Sequence, residues 1–465
     1  MWHFAGVPPD RAEPPVLSRV GRSHRPQVRM KVALCNLGCS KNQIDGEHIL
    51  GSLAQSGFEV TTQFAEAELI LVNTCTFIRE ATQEAIESIL EMAAYKQSGA
   101  CRLLVVCGCF SERYRRQVAE RFPEVDAWLG IHDWRTELAQ IIGQKLSPPA
   151  SRHHLTPGTS QYLKISSGCS RRCSFCVIPS IHGPLRSRPY TDILAEARAL
   201  EQHGVRECIL VSQDTSSYGT DTGSSLVQLL ERLLADTGFD WLRLMYLHPS
   251  RIDNALLDLV ASEPRVCSYL DIPLQHVADP VLERMRRRPG TQGIRALIER
   301  IRTRAPRAAI RTSFIVGFPG ETAAHFAQLL EFCEWARFEK LGVFPFSPEE
   351  GTPAHDFRPR PRNDTARRRC ETLMTAQREI SAEIGHSRIG SIVPVLVERP
   401  ADTASCDREG RTEWDAPEID GTVHLSGTDA ADGSFVSARI TEADDYDLYA
   451  RAVSAVAARQ TGTLD

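Results

Sequence analysis

The sequence lacks any apolar run that approaches the ~20 residues needed to cross a membrane. Residues 1–29 lack the apolar core of a secretion signal, and their many prolines and arginines predict a disordered extension. Met30 directly precedes a strand-like run and is therefore a second candidate start codon. We expect a cytoplasmic protein without a membrane partner.

The chain also lacks a strong overall charge, since its formal net charge is −5. This value favours no class of charged partner. Fourteen cysteines without a signal peptide argue against a disulfide scaffold and indicate metal or redox chemistry in a reducing compartment. With 465 residues, the chain is long enough for about three domains.

Residues 30–146 alternate between short apolar runs and helical patterns, which predicts an α/β domain with a parallel sheet of the Rossmann or flavodoxin-like kind. Its strand runs KVALCNLGC, LILVNTC and RLLVVCGC end in Cys39, Cys75 and Cys109. Ligands bind at the carboxyl edge of such sheets, so we expect these cysteines to form one site there. The alternative is that each is a buried structural cysteine, as we expect for Cys35 and Cys107.

A Pro- and Ser-rich segment, residues 147–160, is typical of a linker. Residues 161–385 then alternate again, with candidate strands YLKIS, ECILVS, LRLMY, SYLDI, AIRTSFIV and LGVFPF. Six such units predict a partial (β/α)6 barrel, with functional groups at the carboxyl ends of its strands.

The run GCSRRCSFCVIPS follows the first barrel strand and contains Cys169, Cys173 and Cys176. A zinc site needs a fourth ligand, for which His182 is the only nearby candidate. An iron–sulfur cubane held by three thiolates instead keeps one iron open to a small molecule. Phe175 and the apolar residues after Cys176 indicate shielding from water.

This cysteine spacing, with an aromatic residue before the third cysteine, resembles the radical S-adenosylmethionine (SAM) superfamily. The resemblance implies that SAM chelates the open iron and is cleaved to a deoxyadenosyl radical. It also implies that SFIVGFPGET, with Gly317, Gly320 and Glu321, contacts the adenine. Other candidate SAM contacts at strand ends are Gln213, Asp214, Asp271 and Gln275.

The whole arrangement resembles the methylthiotransferases, on the motifs LGCSKNQIDGE, NTCTFI, CGCFSERY, DIPLQH and EEGTPA besides those above. The resemblance implies two 4Fe–4S clusters, of which the auxiliary one is held by Cys39, Cys75 and Cys109 and supplies sulfur. Residues 386–454 have short strands and no helical period, which predicts a small OB-like β-barrel. This region resembles the family's TRAM domain and precedes a tail, residues 455–465.

One branch of the family modifies adenosine in tRNA, and the other modifies the β-carbon of an aspartate in a small-subunit ribosomal protein. Residues 391–451 contain fourteen Asp and Glu, such as Asp415 and Asp420, but five Arg and no Lys. Such a surface repels phosphates and attracts basic partners, which favours a basic ribosomal protein or the assembled subunit over tRNA. An electron donor of flavodoxin or ferredoxin type is a further expected partner.

Two positions depart from the family pattern: His182 stands where arginine is frequent, and Gly46 where serine is usual. We expect neither to touch a cluster ligand. Two other functions remain open, namely tRNA methylthiolation and a non-catalytic iron–sulfur protein that binds RNA or transfers electrons. The arginine-rich run ERMRRRPG, residues 283–290, is the main support for the last of these.

Overall fold

The computed structural model describes residues 30–148, 152–156, 158–402 and 406–455. The expected disordered extension (residues 1–29) and all of the tail except residue 455 lie outside these ranges. Within them, no helix is both long and apolar enough to cross a membrane.

The N-terminal domain has a five-stranded parallel sheet with the strand order β2-β1-β3-β4-β5, which is the flavodoxin-like order. Apolar side chains of α2 and α3 pack on one face of the sheet, and those of α1 and α4 on the other. The prediction of an α/β domain with a parallel sheet is confirmed. Its elements are β1 (Lys31–Asn36), α1 (Ser40–Gln55), β2 (Glu59–Val60), β3 (Leu69–Thr74), α2 (Arg79–Ser98), β4 (Leu103–Gly108), α3 (Cys109–Val118), β5 (Ala127–Trp128) and α4 (Trp134–Ile141).

The three cysteines do not end the strands, as the sequence suggested, but lie just beyond them. β1 ends at Asn36, and Cys39 is the residue before α1. Cys75 follows β3 directly, and Cys109 is the first residue of α3. The edge strands β2 and β5 were not predicted because two residues carry no periodic signal.

The central domain contains six parallel strands in two three-stranded sheets, β6-β9-β10 and β11-β12-β13. A parallel bridge between Leu242 and Val266 joins the sheets beside β10. All six predicted barrel strands are confirmed. The elements are β6 (Ser160–Lys164), β7 (Ser166–Ser167), α5 (Ile178–His182), β8 (Arg186–Ser187), α6 (Tyr190–Gln202), β9 (Glu207–Val211), α7 (Leu226–Asp236), β10 (Trp241–Leu244), α8 (Asn254–Ser262), β11 (Tyr269–Asp271), α9 (Asp279–Met285), α10 (Thr291–Arg304), β12 (Ala309–Val316), α11 (Ala323–Ala336), β13 (Lys340–Pro345) and α12 (Asn363–Ser387).

The C-terminal domain is a closed five-stranded barrel with the order β14-β15-β16-β18-β17. This confirms the predicted small β-barrel. Its strands are β14 (Ile392–Pro400), β15 (Arg408–Arg411), β16 (Val423–Ser426), β17 (Phe435–Ala443) and β18 (Leu448–Ala455).

The C-terminal barrel covers the end of the central barrel at which its strands begin. Glu207, at the start of β9, is fully buried between Arg243 and Arg411, with N–O distances of 2.5 and 2.6 Å. Although burial alone would raise it, the two guanidinium groups lower the pKa of Glu207 to about 2. Nearby, Lys340 pairs with Asp415 at 2.6 Å. The carboxyl ends of the central strands therefore face away from this domain.

Replacing Glu207 by glutamine keeps the shape of the side chain but removes the charge shared by two buried arginines. We expect Glu207→Gln to lower the free energy of unfolding by about 3–5 kcal/mol, measured by calorimetry and urea unfolding. The control is Asp258→Asn, since the Asp258–Arg304 pair is largely exposed and should contribute less than about 1 kcal/mol. Equal stabilities of the two variants would contradict this prediction.

Candidate functional site

Cys39, Cys75 and Cys109, which we call the first triad, lie together at the carboxyl edge of the N-terminal sheet, as the sequence predicted. Cys39 is exposed, whereas Cys75 and Cys109 are buried. Asn42, in the first turn of α1, organises this edge. Its side-chain amide donates to the backbone oxygen of Thr74 at 2.8 Å, and its Oδ1 lies 3.5 Å from the Sγ of Cys109.

Glycine precedes two cysteines of the first triad because the chain turns sharply there. Gly38 has φ +91°, and a Cβ at this position would lie 2.7 Å from the Cβ of Cys75. Gly108 has φ +85°, and a Cβ there would lie 2.6 Å from the backbone oxygen of Thr74. Only glycine fits such a left-handed, crowded position. Gly38 and Gly108 therefore allow the loops that contain the three cysteines to pack closely together.

The thiols of the first triad influence one another. Burial raises the pKa of Cys109 well above its usual value, and negative charge at Cys39 and Cys75 raises it further. Burial likewise raises the pKa of Cys75. Three thiolates in such a place need a cationic partner, and iron supplies one.

Cys169, Cys173 and Cys176, the second triad, occupy the loop after β6 and β7. Burial raises the pKa of Cys176 to about 12, and negative charge at Cys173 and Cys169 adds to the shift. A residue outside the loop holds it in place, because the backbone nitrogen of Ser174 donates to the backbone oxygen of Met285 at 3.0 Å. The second triad is therefore held by the end of α9.

Phe175 lies where the sequence indicated shielding from water. Its ring packs edge-on against Phe318, with 6.4 Å between centroids. Phe318 in turn contacts the rings of Phe346 and Phe357. An apolar cluster thus lies beside the second triad.

His182 lies against the first triad, not the second. Its Nε2 is 3.4 Å from the Sγ of Cys109, so the expectation that His182 touches no cluster ligand was wrong. The reason is that Val177 and Ile181 turn α5 towards the N-terminal domain and pack beside Cys109. Burial lowers the pKa of His182 to about 4, which leaves the imidazole neutral at pH 7.

Two candidate SAM contacts follow β9 and differ in their surroundings. The Oε1 of Gln213 is buried without a hydrogen-bond partner among the described residues, as expected for a group that awaits a ligand. Asp214 is already engaged, because it accepts from Arg171 at 2.6 Å and from Ser216 and Ser217 at 2.7 Å. Asp214 therefore orients Arg171.

The candidate contacts near β11 are part of the barrel's framework. Asp271 is fully buried and accepts from the backbone nitrogen of Tyr246 and from Arg311, each at 2.9 Å. Gln275 has φ +73°, and its backbone oxygen accepts from Ile315 at 2.8 Å. This leaves the Gln275 side chain, rather than its backbone, for a ligand.

The segment that contains Gly317 and Gly320 forms a tight loop closed by Glu321. The Oε2 of Glu321 accepts from the backbone nitrogens of Gly317 and Phe318. Its Oε1 lies 3.1 Å from Arg369. Glu321 thus shapes the loop, and binding of SAM there remains a prediction.

Sequence reasoning assigned no role to two basic residues at this site. The Nζ of Lys41 lies over the ring of Tyr246, 3.3 Å from its centroid, between the first triad and the end of β10. The Nη1 of Arg287 lies 3.8 Å from the Sγ of Cys173. In the sequence, Lys41 could have been recognised by its position two residues after Cys39. Arg287 could have been recognised by the arginine-rich run that contains it.

Among the described residues, no three His, Cys, Asp or Glu side chains are arranged to hold one metal ion. Zinc draws four ligands to about 2.0–2.3 Å from one centre. A cubane instead binds each thiolate through a different iron, so its ligands need not share one centre.

Family models divide the chain into three matched regions. Residues 31–130 match the uncharacterized protein family UPF0004, and residues 163–333 match the radical SAM superfamily. Residues 389–453 match the TRAM domain. The first two matches together imply iron–sulfur clusters and SAM.

Several curated relatives are similar over almost their whole length, and those named here share one description, "Ribosomal protein uS12 methylthiotransferase RimO". The relative from Pelobacter propionicus is 43% identical over 90% of this chain and 97% of its own. The relative from Geobacter sulfurreducens is 43% identical over 92% and 99%, and that from Desulforudis audaxviator 44% over 91% and 97%.

Among solved structures, the radical S-adenosylmethionine methyltransferase TsrM from Kitasatospora setae, with tryptophan and a SAM analogue bound, has a TM-score of 0.51. It is 17% identical, over 80% of this chain and 77% of its own. At this identity the likeness concerns the fold alone.

Substitution of Gly108 tests the crowded turn before Cys109. We expect Gly108→Ala to lower the free energy of unfolding by more than about 2 kcal/mol, because a positive φ and a backbone clash act together. Gly143→Ala is the matched control, since Gly143 has φ +66° but no described atom within 4 Å of its Cβ. Its cost should be about 1 kcal/mol. Urea unfolding followed by circular dichroism measures both, and a Gly108 variant as stable as the control would contradict the argument.

Proposed function

We propose, since the chain belongs to the RimO family of ribosomal protein uS12 methylthiotransferases, that it adds a methylthio group to the β-carbon of an aspartate in that ribosomal protein. The aspartate would be modified in the free protein or in the assembled small subunit. The proposal includes two 4Fe–4S clusters, SAM as co-substrate and a small electron donor of flavodoxin or ferredoxin type.

The observation that supports this chemistry most directly is that one short helix links the two cysteine triads. The first follows the strands of one parallel sheet, and the second follows the first strand of another. The short helix α5 begins two residues after Cys176 and ends at His182, whose imidazole reaches Cys109 at 3.4 Å. Two such sites joined by about one helical turn fit an enzyme that needs a source of sulfur close to a source of radicals.

The residues of both sites suit iron–sulfur clusters with one open iron each, because each supplies three thiol groups. Bound there, the clusters and SAM would supply the electron, the radical, the methyl group and the sulfur. A thiolate can only accept a hydrogen bond, so His182 would donate its Nε2 proton to the Cys109 sulfur. Gln213 offers a buried, unused acceptor for the amino or ribose groups of SAM. The phenylalanines around Phe175 exclude water.

Charge on the C-terminal barrel supports a basic protein as substrate, although fewer residues contribute than the composition suggested. Asp415 and Asp420 are held between domains by Lys340 and Arg311, so they do not meet a partner. Of the fourteen acidic residues in 391–451, eight are exposed, against three exposed arginines. The outer face therefore remains acidic and favours a basic partner.

The iron content of cysteine variants tests the ligand assignment. We expect anaerobically reconstituted Cys109→Ala to hold about four iron atoms per chain instead of about eight, because one cluster loses a ligand. Cys107→Ala is the matched control, as Cys107 is buried in the core two residues earlier and should leave the iron content unchanged. An iron content of about eight atoms per chain in Cys109→Ala would show that Cys109 is not a cluster ligand.

The substrate is tested by incubating the reduced, cluster-loaded protein and SAM separately with ribosomal protein uS12 and with tRNA. Mass spectrometry should detect a methylthio addition on an aspartate of uS12. Cys173→Ala should give neither this product nor SAM cleavage. A product on tRNA alone would overturn the substrate, and no SAM cleavage by the parental protein would favour a non-catalytic function.

A further inference from the structure

A cavity of about 1490 Å³ opens beside the second triad and is lined by an excess of basic residues. Cys169 forms part of its wall, together with seven arginines and four acidic residues. The arginines come from three separate segments: the cysteine loop, the loop after β10, and the region from α9 to α10. Three of them, Arg171, Arg287 and Arg300, are central to its chemistry.

Among the described residues, only one of these arginines pairs with a carboxylate. Asp214 pairs with Arg171, whereas Asp253 caps α8 and Asp279 accepts from the backbone nitrogen of Thr291. In the described part of the chain, the other six arginines have no carboxylate at ion-pair distance. Seven arginines against four carboxylates leave the wall with an excess of positive charge, which attracts ligands of negative charge.

Several buried donors in this cavity lack acceptors. The Nε of Arg287, the Nη2 of Arg171 and the Nε of Arg300 are buried with no hydrogen-bond partner among the described residues. Arg287 is fixed on both sides, since it contacts Cys173 at 3.8 Å and donates to the backbone oxygen of Pro273. These fixed guanidinium groups suit an oxygen anion.

Arg171 is linked to His248 through Ser250. The Nη1 of Arg171 donates to Ser250 at 3.1 Å, and the Oγ of Ser250 lies 2.9 Å from the Nδ1 of His248. Burial, with the charges of Arg287, Arg171 and Arg251, holds the pKa of His248 below its usual value. His248, Arg171 and Arg287 thus line the same cavity beside the second triad.

The chemistry of the cavity favours a carboxylate over the other ligands of this enzyme class. SAM carries one carboxylate but also a sulfonium and an ammonium group, so it brings no net negative charge. The lining residues include no Phe, Tyr or Trp in the described part of the chain, so that an unpaired base would find only His248 and the arginines to stack on.

We propose that Arg287, with Arg171 beside it, forms a subsite that binds the side-chain carboxylate of the target aspartate next to the second triad. This inference rests on the proposed function, because it takes an aspartate of uS12 as the substrate. The two arginines select aspartate over its neutral isostere, asparagine, and fix the β-carbon near the reacting centre. Arg287 is a positioning residue in this proposal.

The test compares Arg287→Gln and Arg287→Lys with the parental protein on uS12 and on uS12 whose target aspartate is changed to asparagine. We expect Arg287→Gln to raise the KM for uS12 by about 10- to 100-fold and to erase most of the preference for aspartate. Arg287→Lys should restore part of both. Arg304→Gln is the control, because Arg304 lies outside the cavity in a largely exposed pair with Asp258 and should change either quantity less than about 3-fold.

Three further measurements separate the alternatives. Iron content and SAM cleavage without uS12 are measured on every variant, so that damage to the second triad is distinguished from a loss of the preference for aspartate. Arg171→Gln provides a second variant, whose side chain is held by Asp214 rather than by a cysteine, and it should weaken the preference for aspartate in the same direction. SAM affinity is measured by calorimetry, and binding of tRNA by filter retention.

Unchanged KM and aspartate preference in both variants would overturn the subsite while leaving the proposed function intact. Loss of SAM affinity with the preference retained would assign Arg287 to the carboxylate of SAM. Loss of tRNA affinity alone would assign the arginines to phosphate. Failure of the parental protein to modify uS12 would instead overturn the proposed function itself.

Discussion

The structure depends on the contact between two sheet edges. Parallel strands gather their carboxyl ends at one edge, and here the edges of the N-terminal and central domains face each other. Lys164, the last residue of β6, binds the carboxylate of Asp45 in α1 at 2.7 Å, and His182 reaches Cys109 nearby. Because each cysteine triad follows its own sheet, this one packing arrangement brings both to a common space.

The parallel sheets and both cysteine triads could be predicted because their signals are local. Buried strands such as β3 are continuous apolar runs, and the cysteines stand at fixed short distances after them. The six strands of the central barrel have the same kind of signal. The motifs also predicted the family, which periodicity alone could not do, since the motifs cover nearly the whole chain.

The parts that could not be predicted depend on contacts between distant residues. His182 follows the second triad in sequence but contacts the first, because α5 packs on the other domain. Asp415 counts as surface charge in the composition but pairs with Lys340, 75 residues earlier, inside an interface. The arginines of the cavity come from segments whose neighbourhood only the barrel topology establishes. Charge counts and motif spacing contain none of this information.

The position of the C-terminal barrel has a consequence for how a large partner is held. This domain covers the strand starts, where Arg411 pairs with Glu207, whereas the second triad follows the carboxyl end of the first central strand. If a protein substrate bound this domain while its reactive residue reached the triads, it would have to extend along the outside of the central barrel. A short peptide that bears only the reactive residue would lack the first of these two contacts.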